Sequence, residues 1–362
     1  MQSKASVPAG NPVFTKPAMY PRAEAGEHKA NLDLLRAIAV LLVLIEHIFL
    51  ALRCVRIGPL HLEWLGVAGV FMFFVHTSLV LMWSLERRPH AGDFYIRRFF
   101  RIYPLAIFAI LFAISFHIPT MHNIRGDTYF EAPDFKTLWV NLLLVQNLVD
   151  VNLILHPLWS LPLEVQMYLY LPFLYLITKT RNALFNISAI CVLIMAFNTL
   201  FIDPDFPVFV VFVPCFLAGV LAYILFKRVT PRIPTVFLPA LVVALALGLT
   251  LAHAKRYGWW LSLVLGLSLP FIRPLKMPAI ARSSHIIAKY SYGIYLIHPF
   301  CITLGINVLH NFPMWMRISA VCLSLAATAP LAYHLVEKPM IDFGARVADR
   351  LFARTKEAVA VR

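Results

Sequence analysis

The chain has 362 residues, of which 60% are hydrophobic and only 14% charged, with a mean hydropathy of +0.75. A soluble domain runs at about 45–50% apolar and roughly a quarter charged, so soluble multidomain and disordered organisations are both excluded. On a chain this apolar, the formal net charge of +14 reports which side of a bilayer carries the basic residues, and no nucleic-acid partner is expected.

The first 30 residues contain Pro, Ala and Lys and lack a secretory apolar core, so 1–30 is expected to be a disordered cytoplasmic tail. Stretches long enough to cross a ~30 Å hydrocarbon core then recur at 33–53, 64–84, 102–118, 161–178, 184–201, 207–226, 235–253, 258–272, 287–309 and 315–335. The expected fold is all-α, a polytopic transmembrane helical bundle of about ten spans. Its transmembrane domain covers 31–345, and 346–362 reads as a basic cytoplasmic tail. The one long hydrophilic insertion, 119–160, holds Arg125, Asp127, Glu131, Asp134, Lys136 and Asp150. Within it, 138–148 is too short to span and reads as interfacial. No inverted repeat of the transporter kind is visible.

Placing the N-terminus in the cytoplasm collects Arg87, Arg88, Arg97, Arg98 and Arg101 on the inner side. Lys179, Arg181, Lys227, Arg228, Arg232, Arg273, Lys276, Arg282 and Lys289 join them, as does the basic group from Lys338 onward. The outer segments keep Arg53, Arg56, Arg125, Lys136, Lys255, Arg256 and Arg317. The positive-inside rule then puts both termini in the cytoplasm. The five cysteines are scattered, mostly inside apolar runs, and no Cys/His spacing suits a metal, so no metal is expected.

Ionisable groups inside a span cost several kcal/mol unless paired or hydrated, which makes each a functional candidate. Arg36, Val40, Val43 and His47 share one face of the first span, with His47 roughly 16 Å deeper than Arg36. Glu46 is expected to point elsewhere. Arg97, Arg98 and Arg101 group at the inner edge of the third span, where they serve as a topological anchor or as a site for a polyphosphate. At the outer end of the fourth span Ser160, Glu164 and Tyr168 recur every four residues, beside an interfacial Trp159. Ser291, Tyr295 and His298 share a face of the ninth, with core packing as the simpler account. His76, His298 and Glu337 carry no assigned role, and no Gly-rich phosphate loop or Ser/His/Asp set is present.

These segments, in this order, resemble the acyltransferase 3 family of ten-span membrane acyltransferases. The resemblance covers about 31–345. It rests on Leu32-Asp-Leu-Leu-Arg-Ala-Ile-Ala followed by His47, Phe73-Phe-Val, Arg97-Arg-Phe-Phe-Arg-Ile-Tyr-Pro, Trp159-Ser-Leu-Pro-Leu-Glu-Val-Gln-Met-Tyr, Ser291-Tyr-Gly-Ile-Tyr-Leu-Ile-His and Val336-Glu-Lys-Pro. The chain departs from the family pattern around Phe73-Phe-Val: Phe71 and Met72 stand where a polar or acidic residue is usual, and His76-Thr-Ser replaces Ser-Gly.

What the resemblance implies is transfer of an acetyl or other short acyl group from acyl-CoA, acetyl-CoA above all, to a hydroxyl. The acceptor would be a saccharide or glycoside, such as a surface polysaccharide, lipopolysaccharide or lipid-linked glycan, with macrolide-type small molecules as the alternative. It implies a multi-pass protein of the bacterial cytoplasmic (inner) membrane, surrounded by lipid. It also implies catalytic roles for His47 and Glu164 and donor-binding roles for Arg36, Arg97, Arg98 and Arg101. The chemistry is coherent: a thioester needs only a base to deprotonate the hydroxyl and a way to stabilise the oxyanion, and a histidine is suited to the first task. Glu164 is expected to orient His47 or the acceptor hydroxyl. Because no esterase-like extension follows Glu337, any second transfer partner outside the cytoplasm is expected to be a separate protein. A glycan or lipid transporter is the rival from another class, and a non-catalytic membrane sensor is a third reading.

Overall fold

The computed structural model describes residues 28–119, 121–122, 128–149, 151–202, 209–253 and 257–360. The expected N-terminal tail therefore lies outside the described residues apart from its last few, as do Arg125, Asp127, Asp150, Lys255 and Arg256. Helix α1 (Lys29–Ala51) leads through the antiparallel hairpin β1 (Arg56–Ile57) and β2 (Leu60–His61) into α2 (Trp64–Arg87) and α3 (Ala91–Ser115). The insertion holds a second small hairpin, β3 (Met121–His122) with β4 (Thr128–Tyr129), and the short α4 (Phe135–Leu142). A 3₁₀ turn at His156–Trp159 opens α5 (Leu161–Thr178). Then come α6 (Ala183–Phe201), α7 (Phe209–Phe226), α8 (Phe237–Ala252), α9 (Tyr257–Ser268), α10 (Pro278–Ile302), α11 (Met314–Ala332) and α12 (Lys338–Ala360).

Seven helical segments among the described residues are long and apolar enough to cross a membrane: α1, α2, α3, α6, α7, α10 with its extension, and α11 running on into α12. The remaining three of the ten hydrophobic stretches also form helices, but weaker ones. α5 carries Glu164 and Gln166, and α8 and α9 have 16 and 12 residues.

Three boundaries differ from the hydropathy reading, each for a local reason. α3 begins at Ala91 rather than 102, because the His90 side chain accepts a hydrogen bond from Asp93 N and Asp93 then pairs with Arg97 one turn on (3.0 Å). α10 begins at Pro278, a residue whose missing N–H costs nothing in a first helical turn. Residues 346–360 of the segment read as a basic tail are helical and continue from Lys338 as α12. That helix lies along α3, with Gly344 against Phe100 and the Phe352 ring 4.1 Å from that of His90.

The bundle is built around α2 and α7, which are buried along most of their length, while α6 turns Phe185, Leu193 and Leu200 outward. In hydrocarbon such side chains meet lipid at no cost, and helices are held by close approach of small residues instead. Gly219 of α7 lies on the Val75 carbonyl and the Ser78 side chain of α2, where a Cβ would overlap both. α1 and α10 run parallel: Asn31 holds the Arg273 carbonyl and the Leu275 N–H before α10, Arg36 meets Ser291, and His47 meets His298. That pairing positions the site.

Candidate active site

Three chambers follow one another along the α1–α10 seam. At the N-terminal end of α1, a mouth of about 520 Å³ is lined by Lys29, Arg36, Arg87, Arg101 and Lys289, with the aromatic rings of Trp83 and Tyr333. Its one lining carboxylate, Asp33, accepts from His285 (2.8 Å). The mouth shares Arg36, His76, Val80 and Arg101 with a middle chamber of about 100 Å³. The middle chamber in turn shares Val70 and Tyr295 with a far chamber of about 230 Å³, towards the C-terminal end of α1.

Arg36, Arg98, Arg101, Glu164 and Tyr168 all line the middle chamber. Arg36 donates from Nε to Ser291 Oγ (2.6 Å), which fixes its guanidinium across the seam. Glu164 accepts from the hydroxyl of Tyr168, the residue four positions on along the same face. Arg101 pairs with the buried Glu337, in a π-helical turn at Tyr333–Glu337, and its guanidinium lies 5.7 Å from the Tyr292 ring centre. Arg98 has a buried Nε–H without a partner among the described residues. Arg97 does not line the chamber. Its guanidinium bonds Asp93 (3.0 Å) and Asp349 of α12 (2.9 Å), so the arginine trio divides into two chamber residues and one strut between α3 and α12.

The far chamber holds His47, and here the structure rearranges the expected partners. Glu164 is not among the residues around His47; Glu46 is. The Glu46 carboxylate contacts His47 Nδ1, so Glu46 does not point elsewhere, and the Val43 carbonyl lies 2.9 Å from the same nitrogen. The Val43 carbonyl at Nδ1, with the Glu46 carboxylate beside it, places the proton there, which leaves Nε2 as the lone pair. Nε2 is 3.2 Å from Nδ1 of His156, in the turn before α5, a residue that helical periodicity does not reach. His298 packs edge-on against His47 with ring centres 4.6 Å apart, and its own Nδ1 bonds the Ile294 carbonyl (3.1 Å).

Between the two chambers stands Tyr295, whose hydroxyl bonds Ser160 Oγ (2.6 Å) and the Pro157 carbonyl (2.8 Å). Ser291, Tyr295 and His298 all face the seam, each buried and hydrogen-bonded as core packing would have it; Ser291 and Tyr295 also line chambers, and His298 lines none of the three. His76 lines the mouth and the middle chamber. Phe71, at the position where the family usually has a polar residue, is buried against Phe74 and Phe212 and lines none of the three chambers. Among the described residues no group of three His, Cys, Asp or Glu side chains is placed to hold a metal ion.

The peptidoglycan O-acetyltransferase OatA of Listeria monocytogenes is 26% identical over 86% of this chain and 55% of its own length. The putative peptidoglycan O-acetyltransferase YrhL of Bacillus subtilis is 24% identical over 92% of this chain and 58% of its own. The acyltransferase MdmB of Streptomyces mycarofaciens is 32% identical over 40% of this chain and 38% of its own. The chain thus spans little more than half the length of the two peptidoglycan O-acetyltransferase relatives. No solved structure gives a significant match. An acyltransferase-domain model, that of the acyltransferase 3 family, matches residues 29–336, which include every chamber residue named above. The chain belongs to the acyltransferase 3 family.

Proposed function

We propose that the protein is a membrane O-acyltransferase that carries a short acyl group, acetyl in the first instance, from acyl-CoA to a saccharide hydroxyl across the bilayer. The observation that supports this best is the sequence of three chambers, basic at one end and holding a carboxylate-backed histidine at the other. The mouth sets five lysine and arginine side chains against one carboxylate, a balance suited to the phosphates of CoA. Tyr333 offers an aromatic ring for its adenine. The narrow middle chamber suits the slender pantetheine arm. A buried N–H left unmade costs about 1–3 kcal/mol, which a carbonyl or phosphate oxygen of the donor would recover at Arg98.

At the far end, Glu46 and Val43 hold the imidazole so that Nε2 faces the chamber. In the reaction the acceptor hydroxyl attacks the thioester carbonyl carbon while its proton passes to His47 Nε2. The C–S bond then breaks, and the proton leaves with the CoA thiolate. Glu164, in the middle chamber, acts on the donor side rather than on His47. The ten helices, counting the three weaker ones, cross the inner membrane of a bacterium with both termini in the cytoplasm. The mouth then opens to cytoplasmic acyl-CoA and the far chamber to the outer side, where a surface or lipid-linked glycan is met. Any separate extracytoplasmic partner would work from that side.

The experiment is turnover of radiolabelled acetyl-CoA by the purified protein in lipid nanodiscs, with mass spectrometry of the glycans from cells that have or lack the gene. A mass difference of one acetyl group names the acyl group and the acceptor class. His47→Ala should lower turnover by roughly 10²–10⁴-fold, the worth of a general base. Glu46→Gln should lower it by a smaller factor, because the imidazole remains. Near wild-type activity in folded His47→Ala protein would sink this mechanism.

A further inference from the structure

We propose that the far chamber is an acceptor subsite that selects on charge, taking a neutral or amine-bearing pyranose and rejecting an anionic one. The proposal rests on the acyltransferase reading above and adds the class of sugar. The polar and aromatic lining consists of Glu46, His47, Glu63, His156, Trp159 and Tyr295; the rest is aliphatic side chains and Gly66. Two carboxylates are present, and no lysine or arginine is among the lining residues. The mouth and the middle chamber, by contrast, set Lys29, Arg36, Arg87, Arg98, Arg101 and Lys289 against Asp33 and Glu164.

Glu63 is built to present an acceptor atom. It stands just before α2, and its Oε1 accepts from His61 Nδ1 (2.9 Å), whose Nε2 accepts in turn from Arg56 Nε (3.2 Å). That chain fixes the carboxylate. The second oxygen, Oε2, is buried and has no hydrogen-bond partner among the described residues. A buried acceptor left unmade is a cost that a ligand bearing hydroxyl or ammonium donors removes and a ligand carboxylate or phosphate worsens. Trp159 offers an apolar ring with which the C–H face of a pyranose can stack. His156 Nδ1 sits against His47 Nε2, where the reacting hydroxyl must come, so the acceptor takes over that hydrogen bond on binding. At about 230 Å³ the chamber lies below the ~300–1,000 Å³ of a drug-sized site. It admits one ring.

The test uses the full-length protein in nanodiscs with three probes, the methyl glycosides of glucose, glucosamine and glucuronic acid. Binding is read by saturation-transfer NMR without donor, and transfer by kcat/KM with acetyl-CoA. The glucuronide should bind at least about tenfold more weakly than the glucoside, as like charges at short range require. Glu63→Gln should shrink that ratio to about twofold and weaken the glucosaminide, while Glu63→Asp, which keeps the charge, should retain the discrimination. Trp159→Ala should weaken all three probes. A glucuronide that binds as well as the glucoside, a ratio unmoved by Glu63→Gln, or binding of none of the probes overturns the subsite. Because the binding arm needs no turnover, loss of transfer with the ranking intact would count against the acyltransferase reading alone.

Discussion

Arg97, Arg98 and Arg101 belong to one stretch of α3 and end in three different situations. Arg98 faces the middle chamber with an unmade donor, Arg101 faces it while paired to Glu337, and Arg97 is held by Asp93 and Asp349. Their substitutions should separate accordingly. Arg98→Ala should raise the apparent KM for acetyl-CoA by about tenfold or more, since a charge-assisted hydrogen bond of about 1.5–3 kcal/mol is lost. Arg101→Ala should also cost stability, because it strands a buried carboxylate, at a penalty of about 3–5 kcal/mol. Arg97→Ala should leave KM within about twofold and lower the melting temperature. Steady-state kinetics with a thermal-unfolding scan of the same variants checks all three, and an Arg97→Ala KM as high as that of Arg98→Ala would undo the division.

Helical spacing made the right faces legible. Arg36 with His47, Ser160 with Glu164 and Tyr168, and Ser291 with Tyr295 and His298 all line or adjoin the seam. What spacing does not say is which side chain reaches back. Glu46 is one residue from His47 and leaves the helix about 100° away, yet its flexible carboxylate swings onto the imidazole. His156 lies in a 3₁₀ turn, where no period exists to be read, and its only signal is a histidine followed by proline just ahead of Trp159 and Ser160.

Among the helices, the central contact is α2 on α7, and Gly219 governs it. A methyl group there would fall on the Val75 carbonyl and Ser78 Oγ, groups of a helix that has no room to retreat. Gly219→Ala should therefore destabilise the protein by about 1–3 kcal/mol, the usual cost of overpacking. Gly248 in α8 has nothing within 4 Å of its would-be Cβ. Gly248→Ala should be neutral or stabilising by up to about 1 kcal/mol, because alanine is the better helix former. Thermal unfolding in one detergent compares the two, and an equal loss in both would show that the α2–α7 approach is not tight. All ten hydrophobic stretches emerged as helices because lipid-length apolar runs are the strongest signal a sequence carries. The first turns of α3 and α10 and the whole of α12 did not, because there the helix continues in polar residues. It is held by a capping histidine, ion pairs and contact with α3, none of which hydropathy registers.

At the scale of the whole molecule, the lysines and arginines that line the chambers all lie in the mouth and the middle chamber, and the far chamber is lined by none. Arg88 lies beyond the end of α2 at the mouth end, and Asp134 caps α4 in the insertion. Cysteines introduced at these positions, in a background without the five native ones, should respond oppositely to an impermeant maleimide added to whole cells. Position 134 should label and position 88 should be protected; the reverse pattern would invert the proposed topology and with it the delivery of acyl groups from inside to outside. The partition at Tyr295 and Val70 has a consequence of its own. A polar chamber lies at each end of the seam, and histidines and carboxylates that can pass protons line the chambers along it. An energised membrane cannot tolerate a continuous thread of water along such a route, since every turnover would then drain the gradient that keeps the cell alive. In the proposed topology the phenol ring, tethered at its hydroxyl to Ser160 and Pro157, would stop that thread whenever no donor arm lies past it, so the side chain that borders the middle and far chambers would also insulate the bilayer at this point.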